Sequence, residues 1–410
     1  LQILFRLTPW NRYTLPLLLH LVEEWDSEGD CRLDTIQSLE EAEEALRGEG
    51  PTLLAYSFMT TQIEEIAEEV RMLRPLLGPK DLLVAGGPHP SADPLGTLKL
   101  GFDVVIAGEA EDLLPSFLKT WKRNIGPRNL IRIWRTTKSC SLDKALPFSK
   151  RLQWVAPLEI SRGCPYRCGY CFTPRLHVGP VRHRKLASVV EYLDMSRKMG
   201  RTFVRFIAPD AFSYRDPNTK GGSEGSLRRL LELCKKMGFG QIHLGSFPSE
   251  VRPDRVREGL LELIRSYCAN RKLVIGAQSG SDRLLKAIGR GHTAAQVERA
   301  VRTVTNFGFL AHVDMLFGLP GETPTDRYQS LRLMERLLKM GRTKIHAHVY
   351  LPLPGTPLFR LPPSPLKPDF LKRLQELQSH GALDGDWETQ LHLQEKILMW
   401  RRMGLIRAKG

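Results

Sequence analysis

Long apolar runs are missing from this 410-residue chain. Nothing approaches the roughly 18 to 20 uninterrupted apolar residues that a membrane-spanning helix needs. The early stretch TLPLLLHLV, Thr14 to Val22, is too short and is broken by His20. A basic leader with a small-residue cleavage site is also lacking, so the sequence predicts a cytoplasmic protein. Cysteine is scarce: seven thiols do not make the disulfide framework of a small secreted domain, and reducing surroundings are the expectation. Low-complexity tracts and short repeats are absent, which with 42% apolar residues excludes a disordered or fibrous chain. Acids fall short too, 45 against 60 Lys and Arg, leaving a formal charge of +15. Such a balance suits nucleic acid or an anionic or phosphorylated substrate, and equally an Arg-rich proteome.

The basic excess is local. Between Lys119 and Arg151 ten Lys and Arg residues face one acid, Asp143, which reads as a solvated linker between two patterned regions. Before it, short apolar runs (Ile3 to Leu7, Thr52 to Ser57, Leu82 to Ala85, Val104 to Ala107) alternate with helical patterns (Pro16 to Trp25, Gln62 to Leu77, Leu113 to Trp121). That alternation predicts a parallel sheet flanked by helices, with ligands at the carboxyl ends of its strands. After the linker, six strand candidates begin at Leu158, Phe203, Gln241, Lys272, Ala311 and Ile345, about 30 to 45 residues apart. Each interval holds a helix and two loops, as a curved six-stranded partial barrel requires. The tail beyond Pro357 is Pro-rich and then helical (Asp369 to His380, Thr389 to Met403), an expected cap on the barrel. The expected fold class is therefore α/β: a Rossmann-like (flavodoxin-like) unit over residues 1–125, a basic linker over 126–155, a partial (β/α)6 barrel over 156–358 and a short helical C-terminal extension over 359–410.

The segment SRGCPYRCGYCFTP places Cys164, Cys168 and Cys171 directly after the first barrel strand. A C-x3-C-x2-C loop can wrap one corner of a 4Fe-4S cubane, giving three irons a thiolate and leaving the fourth open. An open iron can chelate the amino and carboxylate groups of S-adenosylmethionine and pass one electron that releases a 5'-deoxyadenosyl radical. The competing reading is structural zinc, which wants a fourth ligand; His177 and His183 are near enough in sequence to serve. Cys31, Cys140, Cys234 and Cys268 are scattered and read as small apolar residues.

On these residues the second half, about Leu158 to Leu358, resembles the radical S-adenosylmethionine (radical SAM) superfamily. The segments GAQSGSDRLLKAIGRGHT (from Gly276), DMLFGLPGET (from Asp314) and HVYLPLPGTPL (from His348) resemble its methylthiotransferase-like branch. The resemblance implies SAM contacts at Tyr170, Phe172, Ala208, Pro209, Asp210, Ser249, Glu250, Gln278, Ser279, Leu316 and Phe317. The second strand carries APDAF in place of a Gly-Gly-Glu. In the first domain Ser57-Phe58-Met59, followed 26 residues later by Gly86-Gly87, resembles the S-x-L and Gly-Gly signals of the cobalamin-binding fold. That likeness implies cobalamin contacts at Ser57, Phe58, Met59, Thr60, Gly86, Gly87, His89, Gly108 and Glu109. The D-x-H-x-x-G motif is absent from Trp10 to Pro16, so no histidine of that loop is expected on cobalt.

The expectation is a cobalamin-dependent radical SAM methyltransferase acting on an unactivated carbon, fed by an external donor such as a flavodoxin or ferredoxin. Two alternatives remain open at this point. One is a radical SAM enzyme without functional cobalamin, modifying RNA as methylthiotransferases do. The other is an RNA-binding protein with a structural cluster, whose RNA affinity would fall steeply with salt.

Overall fold

The computed structural model describes residues 1–123 and 130–408. The boundary expected between residues 125 and 126 lies outside the described residues. The first domain is built on six parallel strands: β1 (Gln2–Arg6), β2 (Arg32–Ile36), β3 (Thr52–Ser57), β4 (Leu82–Gly86), β5 (Val104–Ala107) and β6 (Ile133–Arg135), in the order β2-β1-β3-β4-β5-β6. β1, β3 and β5 are buried along their whole length, as parallel strands covered on both faces must be. One face packs on α1 (Leu15–Trp25) through Leu15, Leu19 and Val22, and on the helix Ala110–Arg123 through Phe117, Leu118 and Trp121. The other face packs on Ala42 and Leu46 and on Ile66, Val70 and Leu73 of the helix Ile63–Leu73. Strand order reverses between β1 and β3, so the loops that follow them open a crevice.

Two strands escape the sequence pattern. β2 is a half-exposed edge strand, and β6 arises from the stretch expected to be a linker. That expectation is corrected for Ile133–Arg135, which pairs with Val105–Ala107. Farther along, Arg151 is anchored as well, its guanidinium 2.7 Å from Asp26 Oδ2, while the amides of Lys150 and Arg151 donate to the Glu23 carboxylate at 2.9 and 3.1 Å. These contacts tie the end of the basic stretch to the first domain.

The barrel begins with Leu158–Glu159, which pairs in parallel with Phe203–Ile207, itself paired with Gln241–His243. A bridge from Val251 to Ile275 carries the curve to Lys272–Gln278, Leu310–Phe317 and Thr343–Val349. A seventh short strand, Leu383–Asp384, pairs with the sixth. Leu158, Phe206, Ile242, Ile275, Val313 and Ala347 point outward into one large core against the surrounding helices, so the residues between them line the lumen. The final helix, Trp387–Arg402, reaches further than a barrel cap: Ile397 and Trp400 pack with Ile63 of the first domain, and Lys396 meets Glu64 at 2.6 Å.

Candidate functional site

The cluster loop leaves the first barrel strand and is held on both sides. Gly169 donates its N–H to the Ile288 carbonyl at 2.8 Å and accepts from Leu358 N at 3.1 Å. Arg175 donates to the carbonyls of Cys168 (3.3 Å) and Cys171 (2.8 Å), fixing the loop's curvature. Cys168 is buried, Cys164 and Cys171 half-buried. Burial pushes the Cys164 and Cys171 thiols up, so their thiolates want a cationic partner. Positive charge is in place: Arg290 Nη1 lies 4.0 Å from Cys168 Sγ. Arg252 is buried over the Tyr166 ring, 3.4 Å from its centroid, and its Nη1 has no hydrogen-bond partner. His177 Nδ1 pairs with Glu109 at 3.1 Å and His183 Nδ1 with Ser161 Oγ at 2.8 Å, so both are committed elsewhere. Three sulfurs beside two buried guanidiniums, with no fourth protein ligand offered among the described residues, fit an anionic cubane better than a structural zinc.

The residues expected around SAM divide into two groups. Tyr170 and Leu316 come together, packed with Leu284, Ile288, Leu319, Tyr350 and Leu358 at the barrel mouth. Phe172 lies against Gly355, where an added Cβ would stand 2.4 Å from the ring. Glu250 faces Arg290 across 3.5 Å above Gly276. Burial raises the Glu250 carboxyl; burial also works against the Arg290 charge, but Tyr170, Glu250 and Cys168 outweigh it and hold that guanidinium firmly protonated. Gly276 permits this approach, because a Cβ there would sit 2.4 Å from both Arg290 Nη2 and Glu250 Oε2. Gln278 ends its strand buried, with a left-handed φ of 71°. Asp210 is buried beside Pro209, and burial pushes its carboxyl up to about 6.

The other group is directed elsewhere. Ser249 Oγ accepts from Ala208 N at 3.0 Å and donates to the Phe206 carbonyl at 3.1 Å, tying the third strand to the second. Ser279 Oγ is shared with Ser330 and the Ser281 amide, and Phe317 packs outward on Phe370. Sequence reasoning gave little weight to Arg290; the signal is a charged residue held between two glycines, Gly289 and Gly291.

A cavity of about 340 Å³ runs between the domains. Ser57, Gly86, Gly87, Gly108 and Glu109 line it at the strand ends, and Phe5, Ala55, Val84 and Ile106 floor it along the sheet. Gly87 is required at its rim: φ is +94°, and a Cβ would lie 2.9 Å from Ser57 Oγ and Phe58 N. Phe58, Met59, Thr60 and His89 are not among the lining residues. Instead Phe58 stacks on His89, whose Nδ1 is 3.1 Å from Thr60 Oγ1. His89 is wholly buried, and burial pulls its imidazole down to about 3. Tyr13, Thr14, Leu17 and Leu18, from α1 and the turn before it, form a wall that sequence reasoning missed. Its signal is a helix apolar on more than its core-facing stripe.

Across the cavity, Glu109 joins the domains. Its carboxylate meets Arg182 at 2.7 Å, Cys140 Sγ at 2.8 Å and His177 at 3.1 Å, while Arg162 bridges Glu111 (2.5 Å) and Glu159 (2.6 Å). Burial disfavours the Glu109 charge, but Arg182, His177, Cys140 and Arg162 outweigh it and hold the carboxyl far below its usual range.

Residues 158–334 match the model of the radical SAM superfamily and residues 28–118 that of the B12 binding domain. The chain thus carries a radical SAM domain preceded by a B12 binding domain. It is similar in fold to TsrM of Kitasatospora setae, a radical S-adenosylmethionine methyltransferase solved with cobalamin and a [4Fe-4S] cluster bound, at TM-score 0.66 and 16% identity over 87% of this chain and 74% of that one. OxsB, a cobalamin-dependent S-adenosylmethionine radical enzyme, superposes at TM-score 0.60 and 17% identity over 82% of this chain and 51% of that one. At such identities the likeness establishes the fold. Among curated sequences, an uncharacterized protein of Methanopyrus kandleri is 28% identical over 68% of this chain and 62% of its own length. A tRNA-2-methylthio-N(6)-dimethylallyladenosine synthase of Thermus thermophilus is 27% identical over 69% of this chain and 58% of its own. The chain thus spans about three fifths of the length of these relatives.

Proposed function

We propose that this radical SAM enzyme is a cobalamin-dependent methyltransferase acting on an unactivated carbon. The observation that carries the reading is the cavity whose wall is shared by the glycine-lined strand ends of the B12 binding domain and by Arg162, His177 and Ile207 of the barrel. Cys164, Cys168 and Cys171 would hold the 4Fe-4S cluster, Tyr170, Glu250 and Leu316 would bound S-adenosylmethionine, and Ser57, Gly86, Gly87 and Gly108 would admit the cobalamin tail. When bound, these groups supply a 5'-deoxyadenosyl radical and a transferable methyl group. The protein's own part is placement and exclusion. Arg252 and Arg290 balance the negative charge of the thiolates in a water-poor loop. Gly276 keeps the Arg290–Glu250 pair close to the cluster. The Glu109 network clamps the two cofactor domains together, so that the carbon to be methylated is held between them. His89, buried on Thr60, offers no ligand to the cavity.

The test is anaerobic reconstitution with iron, sulfide and hydroxocobalamin, followed by measurement of bound cobalt, bound iron and 5'-deoxyadenosine under reduction. One cobalt per chain, 5'-deoxyadenosine, and S-adenosylhomocysteine as the second product are expected. 5'-Deoxyadenosine from a protein that holds no cobalt would leave a radical enzyme without cobalamin and overturn the methyltransferase reading.

A further inference from the structure

The lumen floor carries a group of side chains outside the cofactor sites. Along Leu310–Phe317 and Thr343–Val349 the residues Ala311, Val313, Ile345 and Ala347 are buried against the helices, so His312, Asp314, His346 and His348 face the lumen. Parallel pairing sets His346 beside Asp314 on one side and Asp384 on the other. Three neighbouring strands therefore bring His312 Nε2 and His346 Nδ1 to the same oxygen, Asp384 Oδ1, at 2.9 and 2.7 Å. Lys344 holds the other oxygen, Oδ2, at 3.3 Å, which leaves Oδ1 as the shared acceptor.

We propose that His312, His346 and Asp384 form a binding site for one divalent transition-metal ion, zinc or iron(II), at the floor of the barrel. Two imidazole nitrogens and one carboxylate oxygen, with all three ligand atoms within 4.8 Å of one another, are a donor set suited to such ions. Metal bonds of about 2.0 to 2.2 Å place neighbouring ligand atoms about 3 Å apart, so only small side-chain rotations separate the hydrogen-bonded arrangement from a ligated one. Exposure differs usefully. The His312 side chain is 8% exposed, but His346 and Asp384 are 29% and 37% exposed, so ligation from one side leaves positions open to the lumen for water or an anionic ligand group. The ion would also cross-link the two-residue strand Leu383–Asp384 to the rest of the barrel.

The test uses tag-free protein with its iron–sulfur cluster fully loaded, so that the cluster cysteines are occupied. Equilibrium dialysis against 10 µM zinc (about −6.8 kcal/mol if that were the Kd) should leave one zinc per chain on the wild type and less than about a tenth of that on His312→Ala and His346→Ala. Crystals of the wild type soaked in zinc chloride give an independent readout that needs no variant to fold: an anomalous peak between the three side chains is expected. Absence of bound zinc in the wild type, a peak elsewhere, or zinc retained by both folded variants would overturn the site and leave a hydrogen-bonded triad.

Discussion

Gly276 is the residue on which the cofactor end of the barrel turns, because its missing side chain is the space through which Arg290 and Glu250 meet. In Gly276→Ala the new Cβ must displace one of them. S-adenosylmethionine affinity should fall about tenfold, about 1.4 kcal/mol, while bound iron is unchanged; loss of iron as well would place Gly276 in the cluster's own support. Glu322 offers a prediction in pH. It accepts from Gly318 N at 2.7 Å and Arg327 Nε at 3.3 Å, yet its Oε1 is buried without a partner, and burial raises its carboxyl to about 7. A raised folded-state value means that the native state holds the proton more tightly than the unfolded chain. The stability it contributes is complete below about pH 4.5 and is lost as pH rises through about 7, on the order of 3 kcal/mol. Thermal unfolding between pH 5 and 8 should show this slope and Glu322→Gln should flatten it. At this scale the three-cysteine loop was the plainest signal in the sequence, because its spacing alone suggests a chemistry. Ser249 and Ser279 were not, since a hydroxyl at a strand end serves a backbone amide as readily as a ligand. His89 misled for a related reason: a histidine beside Gly-Gly looks like a site residue until burial turns it inward.

Elements were legible where they are long and periodic. α1, the helix Ile63–Leu73 and the six expected barrel strands all formed where apolar spacing placed them, with ends shifted by a few residues. β2, β6 and Leu383–Asp384 were not, because edge strands of two to five residues with one wet face carry too little apolar signal. The helix Leu39–Arg47 was missed as well; it buries only Ala42 and Leu46 fully, with Leu39 and Ala45 half-buried beside them, though Ser38 caps it at the Glu41 amide. α1 allows a test at its own scale. It buries Leu15, Leu19 and Val22 in the sheet and turns Leu17 and Leu18 toward the cavity. Filling the cavity by Leu18→Trp should abolish bound cobalt after reconstitution while bound iron stays at the wild-type level. Equal loss of both metals would mean that the helix matters only for folding.

In the whole molecule, contacts among the described residues that hold the domains together include the Glu109 network, the docking of Lys150 and Arg151 on α1, and the contact of the last helix with Ile63. None could be read from the sequence, since each pairs residues far apart in the chain. Trp400 is 2% exposed and central to the third contact, so Trp400→Ala should cost about 3 kcal/mol. Hydrogen exchange should quicken in both Ile63–Leu73 and Trp387–Arg402; quickening in the last helix alone would show that it is not a tie between domains. The family reading was legible for the opposite reason, resting on short local motifs that need no knowledge of the interface. The Lys396–Glu64 contact joins residues 332 positions apart. Translation therefore sets a timetable. The first sheet and most of the barrel leave the ribosome before the helix that latches them, so the docking of Trp387–Arg402 on Ile63 is among the last long-range contacts the growing chain can make.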